Sequence, residues 1–509
     1  MIGKCVSCAV ALSLLWAPLT APAADQYWAY TYKGIDVTAA GSAEYARTIA
    51  HNLHRLDLSL AAVLSGKRAE WRSPTLVYAV PDDTFTLLFG KKDNSISSVF
   101  YSNSFSSSML INNSSKGDDR LWSIYFGFTG SVLNSAYSFR YPQWFISGLS
   151  EVFAASKMDH FKVVVGGYAS GRIYTLNHSA FIPLKTLVAL KKDDPQFASE
   201  NFTQLYAAQT WFLVHQIVIE KQYHDNFYQY FLALDRGQSE DAAFAASFNV
   251  SWEALDKSFR DAFAARKVEI INVALQDEKD ASEPRRLTQE EAYGRLSILA
   301  VEHTPQAAVA LKLSAQALSV APNNEDALIG QARAQLKESD YPAALHSGET
   351  LCTTDALSQK GAAACGTVFS ALRNAVAAKK ASIGMDAGSL AARALHFYEQ
   401  AVTMNPDDLA AWHGMADLVG ETHDVVYARS LLPKLDSVQA GHSHVGALAG
   451  SVASLYATVG DYENAVKYGV KWQNNALSGS ERSRADAYVS RLKDAWERKR
   501  IVDGPSALN

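Results

Sequence analysis

Residues 401–412 read AVTMNPDDLAAW, and residues 317–327 read ALSVAPNNEDA. Each runs from an alanine-led apolar stretch, through a Pro beside Asn or Asp, into a second alanine-rich stretch. Pro cannot continue a helix, and Asp or Asn caps the start of the next one. Each segment therefore predicts a corner between two helices. Two further segments, DYPAAL at 340–345 and VGDYENAV at 459–466, share an Asp-Tyr pair followed by alanine. Small residues at Ala317, Ala327, Ala334, Ala344, Ala401, Ala411, Gly460 and Ala465, with Tyr462 among them, let paired antiparallel helices approach closely. These are packing residues rather than contact residues. The pattern runs through most of 295–480 and is broken by an Ala/Gly-rich interval at 350–390.

The pattern resembles the tetratricopeptide repeat. That resemblance implies an all-α solenoid, a stacked array whose groove or side face holds a peptide or partner protein. Its expected span is 291–509. A charged, Pro-containing linker is expected before it at 276–290, most of it reading DEKDASEPRRLTQE.

A chain of 509 residues exceeds what one core organises, so more than one domain is expected. Charged residues are 19% and aromatic residues 11%, a globular composition. The net charge of -5 offers no basic field, which argues against nucleic acid as a partner. The N-terminus MIGKCVSCAVALSLLWAPLTAPAADQYW has a basic flank at Lys4, an apolar run and a small-residue site at Ala21-Pro22-Ala23. It reads as a signal peptide over 1–24, cut after Ala23 or Ala24. No other segment reaches spanning length, so no transmembrane segment is expected after its removal, and the expected location is periplasmic or secreted. Cys352 and Cys365 remain after processing. In an oxidising compartment they either close a short disulfide loop or stay as thiols, and a metal site there lacks partners.

The first domain, expected over 25–275, reads as α+β with helices dominating its second half. Residues 43–64 predict an amphipathic helix carrying His51 and His54 on its polar face. Residues 74–80 predict a strand, 84–90 a helix or strand, and 96–113 a strand–loop–strand element. Helices are expected at 120–134 and 142–155, a short strand at 168–176, and helices again at 201–221, 226–234, 240–248 and 251–263.

A zinc peptidase needs two His one helical turn apart, with a Glu after the first as base for the bound water. The chain contains no His-Glu-x-x-His: His215 is followed by Gln216, with Ile at 219. Nor does it contain a Gly-x-Ser-x-Gly elbow. Gly166, Gly167 and Gly171 lack the Lys of a phosphate loop. The pairs Asp82-Asp83 and Asp193-Asp194 read as solvated turn residues.

Residues 125–155, YFGFTGSVLNSAYSFRYPQWFISGLSEVFAA, nevertheless keep Pro142, Trp144 and Gly148, with Ser150 beyond. Later come Leu205-Tyr206-Ala207-Ala208-Gln209-Thr210-Trp211 and Phe248-Asn249-Val250-Ser251. Over about 40–265 the chain resembles the gluzincin-type, peptidase MA-like metallopeptidases. Such enzymes carry the His-Glu-x-x-His helix, a loop, and a Pro-x-Trp-x-x-Glu-Gly-x-Ala segment whose Glu is the third zinc ligand. The resemblance places Phe126 and Gly130 at the two His, Gly127 at the Glu base and Ser147 at the third ligand. It implies a domain without zinc, cofactor or catalytic residue. Glu151, four residues beyond Ser147, is a lone carboxylate. Gly127 and Gly130 each cost about 1 kcal/mol in a helix interior, and are expected to let the backbone or Tyr137, Phe139 or Trp144 close over the vacated cavity. The function expected is a non-catalytic, exported protein-binding scaffold. A hydrolase using a non-standard site remains the alternative, and so does an unrelated α+β domain in which YFGFTG is core filling.

Overall fold

Lys33 and Gly34, both at positive φ (48° and 83°), make the two-residue turn of the first hairpin, where the primed turn geometry matches strand twist. The hairpin joins β1 (Tyr27–Tyr32) to β2 (Ile35–Ala40). The computed structural model describes residues 26–503, apart from 65–74, 91–95, 104, 115–117, 136–140, 160, 192–193, 236–237, 266–267, 276–281, 304–306, 355, 443–444 and 477–478. The segment read as a signal peptide, Tyr137 and Phe139 lie outside the described residues.

Helix α1 (Ala43–Val63), capped by the Ser42 side chain, crosses to β3 (Thr75–Val80), which lies parallel to β2. Then follow α2 (Asp82–Phe89), β4 (Ser98–Ser102) and β5 (Ser107–Asn112). With β9 (Arg285–Arg286) they form a sheet of order β4-β5-β3-β2-β1-β9. Its strands alternate as a two-faced sheet requires. Val37, Val77, Ala79, Met109 and Ile111 join the core under α1, while Tyr27, Tyr78, Val80 and Leu110 point to the other face.

The helices α3 (Asp118–Ser135) and α4 (Gln143–Ala154) come next, then β6 (Lys157–Met158), β7 (Lys162–Val165) and α5 (Ser170–His178). The strand expected at 168–176 is therefore mostly helix: Ile173 and Leu176, three residues apart, pack inward while Arg172 turns to a neighbouring helix. After α6 (Leu184–Ala189), α7 (Glu200–Val218), α8 (His224–Asp235), α9 (Glu240–Ser247) and α10 (Trp252–Ala264), strand β8 (Ile271–Ala274) pairs antiparallel with β7.

The segment read as a linker is structured at its far end. Arg285 and Arg286 pair with Ala29 and Trp28, so the chain adds an edge strand before entering the helical region. Beyond it run α11 (Gln289–His303), α12 (Ala307–Val320), α13 (Glu325–Lys337), α14 (Tyr341–Cys352), α15 (Gln359–Ala377), α16 (Ala387–Met404), α17 (Leu409–Thr422), α18 (Val425–Gly441), α19 (Gly446–Thr458), α20 (Tyr462–Asn474) and α21 (Gly479–Asp503). Each helix packs on the next, and α11, α13, α15, α17 and α19 also touch in succession. These five form the inner layer of a stacked array. Ala317, Ala327, Ala334, Ala344, Ala401, Ala411 and Ala465 are all buried between helices, and Gly460 takes a positive φ (81°) in the corner before Tyr462, which is half-buried. The interval at 350–390 holds α15 and the start of α16, and Gly366 and Gly414 leave room for the Tyr398 ring between them.

The two parts share a core. Ala292, Leu296, Leu299 and Leu313 of α11 and α12 cluster with Tyr27, Tyr78 and Leu110 on the second sheet face. Arg295 donates to Asp36 (3.3 Å) and Thr38 (3.0 Å) of β2. The first helix pair of the array is thus also the lid of the sheet.

Cys352, at the end of α14, is bridged to Cys365 of α15, with Cα atoms 5.9 Å apart. Closing a loop of this length constrains the unfolded chain by about 3 kcal/mol. Reduction, or Cys365→Ala, is therefore expected to lower the urea midpoint by a corresponding amount, and an unchanged midpoint would contradict it.

Candidate functional site

The four positions that the peptidase resemblance singles out fall on α3 and α4, which pack side by side. Phe126, Gly127 and Gly130 lie within two turns of α3. A Cβ at Gly127 would stand 3.3 Å from Phe100 Cβ on β4, and one at Gly130 would stand 3.2 Å from Ser150 Oγ on α4. Both glycines mark close approaches, the first to the edge strand and the second to the neighbouring helix. Phe126 is half-buried and stacks on Trp122, one turn earlier, with ring centres 5.3 Å apart.

Helix α4 starts after Pro142, whose fixed φ suits a helix entry, and buries Trp144 completely against Phe145, Phe227 and Phe231. Ser147 accepts from Gln143 Nε2 at 3.2 Å. Gly148 is the tightest point. A Cβ there would lie 2.3 Å from the Thr210 carbonyl oxygen and 2.5 Å from Val214 Cγ2 of α7. The motif glycine is thus required by backbone contact between helices.

Glu151, read from the sequence as a lone carboxylate, has a partner. Arg172 of α5 grips it with two parallel hydrogen bonds, Nε to Oε2 at 2.9 Å and Nη2 to Oε1 at 2.8 Å. Its remaining Nη1 donates to Gln204 at 2.6 Å, and its guanidinium lies 5.3 Å from the centre of the Trp122 ring. Burial pushes the Glu151 carboxyl up to about 7, with Arg172 pulling the other way. Sequence reasoning misses both Arg172 and Trp122. Glu151 and Arg172 are brought together because α4 and α5 both pack on α7, and no local spacing announces that.

Other candidates resolve into structure. His51 bonds to the Tyr30 hydroxyl at 3.1 Å and stacks on Tyr32, and His54 is buried rather than on a polar face. His215 is buried and held neutral by desolvation; its Nε2 donates to the carbonyls of Gly166 (3.1 Å) and Glu269 (3.0 Å). Gln209 clamps Ile182 from both sides, accepting from its N–H (2.8 Å) and donating to its carbonyl (2.6 Å). The Leu205–Trp211 segment is thus a brace for the loop over α7. Among the described residues no three His, Cys, Asp or Glu side chains come together as a metal site. Nor is any described helix long and apolar enough to cross a membrane.

No protein-family model and no curated protein matches the chain. Among solved structures, similarity is found to a thermophilic TPR protein of Thermus thermophilus, at 20% identity and TM-score 0.32, covering 40% of this chain and 99% of that one. YrrB, a TPR protein with an unusual peptide-binding site, matches at 15% identity and TM-score 0.28, covering 38% of this chain and 91% of that one. Yeast Tom70 matches at 12% identity and TM-score 0.26, covering 63% of this chain and 68% of that one. The array's stacked helix pairs are seen in its own helix contacts.

Proposed function

We propose that the protein is an exported, non-catalytic scaffold, in which a metallopeptidase-like frame carries a helical repeat array that binds a protein or peptide partner. The observation that carries the reading is the chemistry of α3 and α4. The two helices lie together, as a shared set of zinc ligands requires, but Phe126, Gly127, Gly130 and Ser147 supply neither imidazole nor carboxylate. Glu151, a buried carboxylate one turn beyond Ser147 on α4, is committed to Arg172, which blocks it from acting as a free base. For the array, the support is a continuous inner layer of helices α13 to α19. The Cys352–Cys365 bridge suits an oxidising compartment and so supports export.

Metal analysis of the purified mature chain tests the non-catalytic half. It is expected to find no stoichiometric zinc, and a strong chelator is expected to leave the melting temperature unchanged. One tightly bound zinc per chain would overturn the reading in favour of a hydrolase.

A further inference from the structure

The turn between β4 and β5 carries an aromatic side chain away from its own sheet. Asn103 bonds across this turn. Its Oδ1 accepts from the Phe105 and Ser106 amides at 2.8 and 2.9 Å, its Nδ2 donates to Ser106 Oγ at 2.9 Å, and its backbone N–H donates to the Ser106 carbonyl at 2.9 Å. All four of these bonds are made within the turn itself. Phe105 nonetheless packs on the array's core cluster, with its ring centre 4.7 Å from that of His413 on α17 and the planes 30° apart.

His413 is fixed for this contact. Its Nδ1 lies 2.5 Å from Ser451 Oγ on α19, Ser451 Oγ donates to Asp417 at 2.8 Å, and Nε2 lies 3.4 Å from the other Asp417 oxygen. These bonds hold the imidazole across two neighbouring helices of the inner layer. The ring thus offers a pre-set flat surface, half-exposed, on the inner layer of helices. The domains are already joined through the shared core at α11 and α12. The Phe105 contact is a second attachment, made to a different part of the array by one side chain on a pre-formed turn. A rigid aromatic of this kind anchors at low entropic cost.

We propose that the inner face at His413 recognises an aromatic side chain, and that Phe105 is its resident occupant, an autoinhibitory contact that a partner displaces. The partner is a peptide segment that presents an aromatic residue among small polar ones, the chemistry of the Asn-Ser-Phe-Ser turn itself. The inference rests on the reading of the array as a binding element.

The test uses the mature full-length chain and a fluorescent peptide of residues 101–108, YSNSFSSS. The Phe105→Ala protein is expected to bind this peptide at least ten-fold more tightly than the wild type. Adding His413→Ala is expected to remove the gain, as is replacing the peptide's Phe by Ala. Equal binding to wild type and Phe105→Ala, or none to either, overturns the proposal. Melting curves confirm that each variant is folded, and amide exchange supplies a second readout: α17 and α19 should exchange faster in Phe105→Ala while α13 is unchanged. Unchanged exchange at all three helices also counts against the proposal. A phage-displayed random peptide library panned on both proteins separates the two levels of failure. Peptides that bind the array without aromatic preference and regardless of Phe105 defeat the autoinhibitory contact alone, whereas no binder to either protein defeats the binding array as well.

Discussion

Gly148→Ala is expected to lower folding stability by about 3 kcal/mol, the upper end of what overpacking a core costs, read as a shift in the urea midpoint. An alanine is ordinarily the better helix residue by about 1 kcal/mol, so a substitution of this kind usually helps. Here the new methyl would meet the Thr210 carbonyl oxygen at 2.3 Å, its carbon at 2.8 Å and Val214 Cγ2 at 2.5 Å. Two of these atoms are backbone of α7 and cannot swing away, so α4 and α7 must move apart. Gly130→Ala provides the control. Among the described residues its methyl would meet only Ser150 Oγ, at 3.2 Å, an atom that can rotate, and the change is expected to stay within about 1 kcal/mol as helix propensity offsets the tight contact. If the two variants were equally stable, the close approach at Gly148 would not be what requires a glycine there.

Arg172→Leu is expected to cost about 3–5 kcal/mol at pH 8, because it strands a buried carboxylate without its partner. Glu151 is 3% exposed and Arg172 only 15% exposed, so solvent screening recovers little of this. The sign of the pH dependence follows from burial. Glu151 titrates near 7 in the folded chain against an ordinary 4.5, so the folded state holds the proton more tightly than the unfolded one. Its contribution is most favourable below the unfolded value and is lost as pH rises through about 7. Removing Arg172 takes away an influence that lowers this value, so the variant's penalty should shrink markedly at pH 5, where the carboxyl is neutral. Thermal melts of wild type, Arg172→Leu and the double variant Arg172→Leu/Glu151→Leu at both pH values check this. The double variant should recover most of the loss, and a penalty independent of pH would rule the account out.

How much of this is legible in the sequence depends on whether the signal is local. Helix corners at Pro322 and Pro406, and the strand–turn–strand at 96–113, are written in neighbouring residues and can be read directly. The α+β character of the first part follows from the same alternation of strands and helices. The helix at Ser170–His178 reads as a strand because its apolar face is only two residues wide, too narrow for periodicity to show. Edge strand β9 is hidden by composition, since Arg285 and Arg286 look like linker residues and form a strand only because Ala29 and Trp28 are there to pair with them. At the candidate site, Gly127, Gly130 and Gly148 stand out in the sequence as helix-interior glycines, and each lies at a close approach. The Arg172–Glu151 grip and the Phe105–His413 contact cannot be found in this way, because each is made by tertiary packing between distant segments.

If the array binds a segment as proposed, the lid formed by α11 and α12 sets the length of what it would hold. With the first helix pair committed to the sheet, a ligand lying along the inner layer has α13, α15, α17 and α19 to run on. Contacting helices sit about 8–10 Å apart, so these four span roughly 25–30 Å. An extended chain advances about 3.3 Å per residue, which makes the track long enough for about eight or nine residues. On the proposed reading the array would measure out short linear segments, and Phe105, resting against α17, lies in its second half.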